Sequence, residues 1–339
     1  MLLSFGNWKV TVVYLRIIIF TFLLVTSPGN AANKMLTGVC FHPDRMSISA
    51  TETLDLLKKY QFDSYRTDFR WREIEKKKGV YKIPYEKLQV IVDGSLKARI
   101  TPIIILGSAN PLYGDSKPVT EEQRIAFTHY VSWVVDQYPH TPIIYEIYNE
   151  WWNDDFKNNP ESNDAISAKN YSELIKEVSQ TIRMHNPNAI IIAGSLNPLS
   201  ARHRNWFDYM IKDGVLNNID GVSIHPYSKH SPDKDFSVID LFEQHLTRMN
   251  SGKKVSLFIT EMGYSNSLRG LLPPVVQESY THQYFRLASE RSYIKGLWWY
   301  SLTDEKSVNP YVSNFGLLDI NGKEKDIAKG YLKWSKIDK

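Results

Sequence analysis

The feature that most constrains this chain is a strict alternation of two kinds of segment. Short apolar runs rich in β-branched and aromatic residues recur at Met35–Phe41, Phe62–Phe69, Ile100–Leu106, Ile143–Tyr148, Ala189–Ile192, Gly221–Ile224, Val255–Ile259 and Gly296–Tyr300. Between and after them lie stretches with helical spacing of apolar residues, from Thr51–Tyr60 through Glu121–Gln137 and Ala165–His185 to Asp326–Lys336. Runs that are apolar on both faces suit parallel strands covered by helical crossovers. Eight such units predict an α/β fold, a single (β/α)8 TIM barrel, rather than an open doubly wound sheet. No Gly-rich phosphate loop follows the first run, which weakens the dinucleotide-binding form of that alternative. No internal repeat or Pro/Ser-rich linker divides residues 33–339, so they read as one domain.

Residues 1–32 stand apart. Lys9 and Arg16 precede the apolar run Ile17–Val25, which leads to Pro28, Gly29 and the small pair Ala31-Ala32. This is the layout of a secretory signal peptide cleaved near Ala31 or Ala32. Counted from Val10, the run could instead stay as an uncleaved N-terminal membrane anchor. Either way the expectation is export to a bacterial periplasm or beyond. The single cysteine, Cys40, offers no internal disulfide and reads as a packed core residue. A net charge of +4 gives no reason to expect nucleic acid as a partner, and the Lys76-Lys77-Lys78 run reads as a solvated helix end or loop.

In a barrel of this kind, chemistry gathers at the ends of the strands and in the loops that follow them. Those loops are long, polar and dotted with aromatics after runs three, four, six, seven and eight, which suits an open cleft and endo cleavage. The strand ends bring forward His42, Arg66, Asp68, Asn149-Glu150, His225, Tyr227, Glu261, Trp298, Trp299 and Tyr300. Glu150 and Glu261 are each the first acid after a buried run, on strands four and seven, and would face each other across one mouth. A paired acid and carboxylate beside aromatic faces suits glycoside hydrolysis, one group protonating the leaving oxygen and the other attacking the anomeric carbon. The competing reading is structural: a strand-end Glu in a salt bridge, and aromatics in the core. His42, His225 and His230 do not form a metal-ligand set, so no metal and no cofactor is expected.

These residues resemble clan A of the glycoside hydrolases, retaining enzymes on a (β/α)8 barrel. The resemblance rests on Asn149-Glu150, His225-Pro226-Tyr227, Thr260-Glu261-Met262-Gly263 and Ser301-Leu302-Thr303-Asp304. Upstream, Arg66, Trp71 and the segment Ile74–Tyr81 are similar to family 39 members and their relatives, family 5 among them. The resemblance implies Glu150 as acid/base, Glu261 as nucleophile and Asn149 as a partner of the sugar 2-hydroxyl. It also implies that Arg66 and Tyr227 hold Glu261 ionised, that His225 tunes Glu150, and that His42 touches the sugar. Alternation puts Trp298 and Tyr300 on one face of strand eight, with Tyr300 the expected stacking platform and Trp298 or Trp299 available if a bulge shifts the register. Glu150 is followed by Trp151-Trp152 instead of the more usual Pro, and Trp151 is expected to shape a subsite. The expected partner is a poly- or oligosaccharide, handled by a monomer. A carbohydrate-binding barrel without chemistry is the alternative.

Overall fold

The computed structural model describes residues 34–153, 164–267, 272–305 and 309–337. The expected signal or anchor, residues 1–32, and parts of the loops after strands four, seven and eight lie outside them. From Asn33 onward the chain is one compact unit. In chain order its strands are β1 (Leu36–Cys40), β2 (Ser64–Arg70), β3 (Glu75–Lys77), β4 (Val80–Tyr81), β5 (Thr101–Gly107) and β6 (Ile144–Ile147). They continue with β7 (Ile190–Leu196), β8 (Gly221–Ile224), β9 (Leu257–Met262) and β10 (Ile294–Tyr300). Strands β1, β2 and β5 to β10 pair in sequence order and close into a parallel barrel, with β10 against β1. Helices link the barrel strands, so the fold is a (β/α)8 TIM barrel.

The helices start where the sequence supplies caps. Ser49 and Glu52 form a capping box at Ala50–Lys59, and Thr120 and Gln123 form another at Glu121–Asp136. The main core lies between barrel and helices; a smaller cluster of Cys40, Ile103, Ile144, Ile192, Phe258 and Trp298 fills the barrel interior. Trp298 fits there because two strands carry glycine. A Cβ on Gly38 would stand 2.2 Å from its ring, and one on Gly296 2.3 Å.

Two strands carry one extra residue near their C-terminal ends. Ala193 and Leu196 of β7 pair with Val222 and Ile224 of β8, and Leu297 and Trp299 of β10 pair with Ile259 and Met262 of β9. Such bulges re-aim side chains. In β9 the bulge lets the neighbouring Thr260 and Glu261 both reach polar partners at the mouth, and in β7 it turns Ser195 toward β6. One expectation is corrected here. The Lys76-Lys77-Lys78 run is solvent-exposed and Lys78 lies in a turn, but Lys76 and Lys77 lie on β3 of the β3–β4 hairpin and not in a helix end or loop. Gly79 turns the chain with φ +74°, and its N–H donates to the buried Glu75 carboxylate at 2.7 Å.

Candidate active site

Arg66 is the centre of the polar network at the mouth. It leaves β2 toward the barrel axis and is buried, so each guanidinium nitrogen needs a partner. Nε donates to Glu146 at 2.6 Å, Nη1 to Glu261 Oε1 at 2.6 Å and Nη2 to Asn149 Oδ1 at 2.7 Å. Burial disfavours the guanidinium charge, but Glu146 and Glu261 outweigh it and raise the Arg66 pKa well above its usual value. Breaking such a pair by removing one partner costs about 3–5 kcal/mol.

Glu261 is held from two sides. Oε1 takes the Arg66 bond, and Oε2 accepts from the Tyr227 hydroxyl at 2.8 Å. The backbone after it demands glycine: a Cβ on Gly263 would lie 2.1 Å from the Tyr300 carbonyl oxygen. Glu150 stands at the end of β6 on a backbone with φ +45°, two residues after Tyr148 at φ +62°. Its Oε1 lies 3.0 Å from His225 Nδ1, and its Oε2 accepts from Asn153 Nδ2 at 3.1 Å. Nδ1 of His225 is also 3.8 Å from Glu261 Oε2. Burial pushes toward neutral His225, but Glu261 and Glu150 beside it prevail and its pKa is raised.

One carboxylate oxygen each from Glu150 and Glu261, together with a His225 ring nitrogen, lie within 4.8 Å of one another. Retaining glycosidases carry their carboxyls about 5–5.5 Å apart and inverting ones about 6.5–9.5 Å. An approach this close leaves the two carboxylates facing each other across one mouth. The trio also has the proximity of a metal site, but Arg66 already supplies positive charge to Glu261.

Over residues 26–304 the sequence matches the family model described as Cellulase (glycosyl hydrolase family 5). The chain belongs to this family. Among solved structures, this family 5 glycosyl hydrolase is similar to a family 39 glycoside hydrolase from the gut symbiont Bacteroides cellulosilyticus WH2. There the TM-score is 0.73 and the identity 24%, over 91% of this chain and 65% of that one. It is also similar to xylanase 10B from Thermotoga maritima, with TM-score 0.66 and 16% identity over 90% and 96% of the two chains. A third likeness is to an exo-β-1,4-mannosidase from Opitutaceae bacterium strain TAV5, with TM-score 0.66 and 14% identity over 91% and 61%. The chain thus spans just under two thirds of the first of these structures. A search of curated proteins finds no match.

The family 5 barrel does not bring every expected residue to the cleft. Arg66, Asn149, Glu150, His225, Tyr227 and Glu261 form one connected network. His42 lies beside it: Nδ1 is 2.6 Å from Asp68, and its ring meets the partly exposed Tyr300 edge-on with centroids 6.2 Å apart. Burial would raise the Asp68 pKa, but the His42 cation, then Arg70 and Arg66, hold it well below the usual range. Trp298 and Trp151 are corrected. Trp298 is fully buried in the barrel interior and donates from Nε1 to Ser64 Oγ at 2.9 Å. Trp151 is buried on the outer side, stacked on Tyr171 with centroids 5.0 Å apart. Neither offers a face to a sugar; Trp299 packs outward on Phe285, and Trp152 stays partly exposed.

Sequence reasoning passed over Glu146, which sits in the same run as Glu150 and is fully buried. The available signal was an acid inside a strand otherwise apolar on both faces, a residue that survives only with buried partners.

Proposed function

We propose that the chain hydrolyses glycosidic bonds in an oligo- or polysaccharide by double displacement, with Glu261 as nucleophile and Glu150 as acid/base. The observation that carries this reading is the close approach of these two carboxylates, within 4.8 Å at the ends of β9 and β6. In the first step a Glu261 oxygen attacks the anomeric carbon, the glycosidic C–O bond breaks, and the Glu150 proton passes to the departing oxygen. In the second, Glu150 takes a proton from water, the water oxygen attacks the anomeric carbon, and the ester bond to Glu261 breaks. The sum is addition of one water across the glycosidic bond.

The neighbours suit these roles. Arg66 and Tyr227 favour the ionised nucleophile, since a cation and a donor both stabilise a carboxylate. Arg66 takes the Asn149 amide oxygen, leaving the amide N–H groups for the sugar 2-hydroxyl. Tyr300, with His42 at its edge, is the stacking face. Two shallow pockets at the mouth share Asp68 and Arg70 as a wall and extend the cleft past β2. The run of Lys9, Arg16 and Ile17–Val25 before Ala31-Ala32 supports export, which N-terminal sequencing of the mature protein checks.

The test is azide rescue. Glu261→Ala should lose roughly 10⁵-fold in kcat, and azide should restore turnover as a glycosyl azide of inverted configuration. Glu150→Ala with azide should give the retained configuration. Parent-like hydrolysis by Glu261→Ala sinks the assignment.

A further inference from the structure

The reaction above uses two carboxylates, and the barrel holds a third beneath them. Glu146 lies on β6, four residues before Glu150, and is fully buried. Its Oε2 accepts from Arg66 Nε at 2.6 Å. Its Oε1 accepts from Ser195 Oγ at 2.7 Å and from Thr260 Oγ1 at 3.0 Å. Two of those donors also reach the acid pair. Arg66 holds Glu261 through Nη1, and Thr260 Oγ1 stands 3.0 Å from His225 Nε2, whose other nitrogen meets Glu150.

Counting protons fixes the direction of this chain. An ionised carboxylate only accepts, an arginine only donates, and a threonine hydroxyl has one proton to give. The Thr260 proton goes to Glu146, so Thr260 can only accept from His225, and His225 must carry its proton on Nε2. Its Nδ1 then faces Glu150 Oε1 with one proton between them. Were Thr260 to donate to His225 instead, Nδ1–H would point at Glu150, which can accept it with or without its own proton; a bare Nδ1 of neutral His225 instead needs the Glu150 O–H as its donor. Glu146 therefore selects the state in which Glu150 has a proton to give.

We propose that Glu146 is a positioning residue for catalysis: through Thr260 and His225 it keeps the Glu150–His225 pair loaded with its proton, and through Arg66 it fixes the cation that serves Glu261. This rests on the roles proposed above for Glu150 and Glu261. The Glu146 carboxylate accepts from three donors, Arg66, Ser195 and Thr260. Burial raises the pKa values of the Cys40 thiol on β1 and of Tyr171 on helix Asp164–His185 well above neutrality, so both are uncharged. Around His225 the titratable groups are Glu150, Glu261 and Arg66, with the ring of His203 farther off, its pKa lowered by burial to about 4 and hence neutral.

Two variants test this, each read in three ways. Glu146→Gln removes the charge, and Thr260→Val removes the link while leaving Arg66 on Glu146 and Glu261. Removing a buried anion or its relay lowers the proton affinity of the pair. The alkaline limb of kcat/KM should move down by roughly one pH unit in both. Turnover of glycosides with poor leaving groups should fall about tenfold further than that of activated aryl glycosides. Histidine ¹⁵N NMR should show His225 protonated on Nε2 in the parent and titrating at lower pH in the variants. Thr260→Val decides if Glu146→Gln fails to fold. An alkaline limb and a His225 titration in Thr260→Val equal to the parent's overturn the proposal. The NMR titration needs no turnover, so a moved His225 with no glycoside hydrolysed would leave this inference standing while the proposed reaction falls.

Discussion

Glu261 and Glu150 stand at the ends of β9 and β6 and are held in opposite ways. Both oxygens of Glu261 are fixed by donors from other strands or loops, and its side chain is 11% exposed. Glu150 is 21% exposed, rests on a left-handed backbone, and has His225 and the nearby Asn153 as partners. The difference matches what the two steps proposed above ask. A nucleophile gains from being immobile and charged throughout, which preorganised donors provide without reorganisation during the reaction. An acid/base must lose its proton, meet a water and regain a proton, so it needs an opening to solvent and a neighbour that shares the proton.

After the loss expected of Glu261→Ala, the largest effect comes from breaking the Glu150 side. Glu150→Gln should cost about 10³–10⁴-fold in kcat on glycosides with poor leaving groups. On activated aryl glycosides, whose departure needs no proton, the first step should slow far less. Pre-steady-state kinetics on a leaving-group series reads this directly; equal losses across the series would remove the distinction between the two carboxylates.

On the Glu261 side, Arg66→Lys keeps the charge but cannot reach Glu146, Glu261 and Asn149 together from one ammonium. We expect kcat to fall about 10²–10³-fold and stability to fall by about 3 kcal/mol in a denaturant melt. A variant that melts like the parent would mean the buried carboxylates do not depend on the fork. Tyr227→Phe removes only the bond to Oε2, and a roughly tenfold loss of kcat with little change in KM should follow. If it instead raises KM alone, Tyr227 belongs to substrate binding and not to holding Glu261.

The two carboxylates also differ in what the sequence reveals. The barrel is legible because each strand, buried on both faces, must be a continuous apolar run. Glu150 and Glu261 are legible because an acid directly after such a run has few structural reasons to be there. Glu146 hides inside a run, and the partners that make it tolerable are 80 and 114 residues away, at Arg66 and Thr260. No local pattern announces them. Trp298 shows a related limit. Alternation does assign it to the same face as Tyr300, yet that face points into the barrel, and only its last residue reaches the mouth. Depth along a strand depends on where the glycines of neighbouring strands make room. The bulge in β9, which brings Thr260 and Glu261 together onto the polar network, is likewise a product of register between strands.

The smallest expected effect asks how far the rigidity around Glu261 extends. Tyr227 leads into Ser228, whose hydroxyl donates to Asp235 at 2.6 Å, just inside helix Pro232–Met249. Asp235 is fully buried, its other oxygen lies 3.6 Å from His230 Nδ1, and burial pushes its pKa up to about 7. An acid whose folded pKa is raised binds its proton more tightly in the fold than in the unfolded chain. Its ionisation therefore costs the folded state stability, progressively from about pH 4 to pH 7. Asp235→Asn has no proton to lose, so it should match the parent near pH 4 and exceed it by about 4 kcal/mol at pH 8. Denaturant melts across that range read the difference. If the anchor also steadies Tyr227, the kcat profiles of the parent and Asp235→Asn should diverge between pH 6 and 8, because ionising Asp235 strengthens the bond it accepts from Ser228. Parallel kcat profiles would confine the rigid zone to Arg66 and Tyr227 themselves.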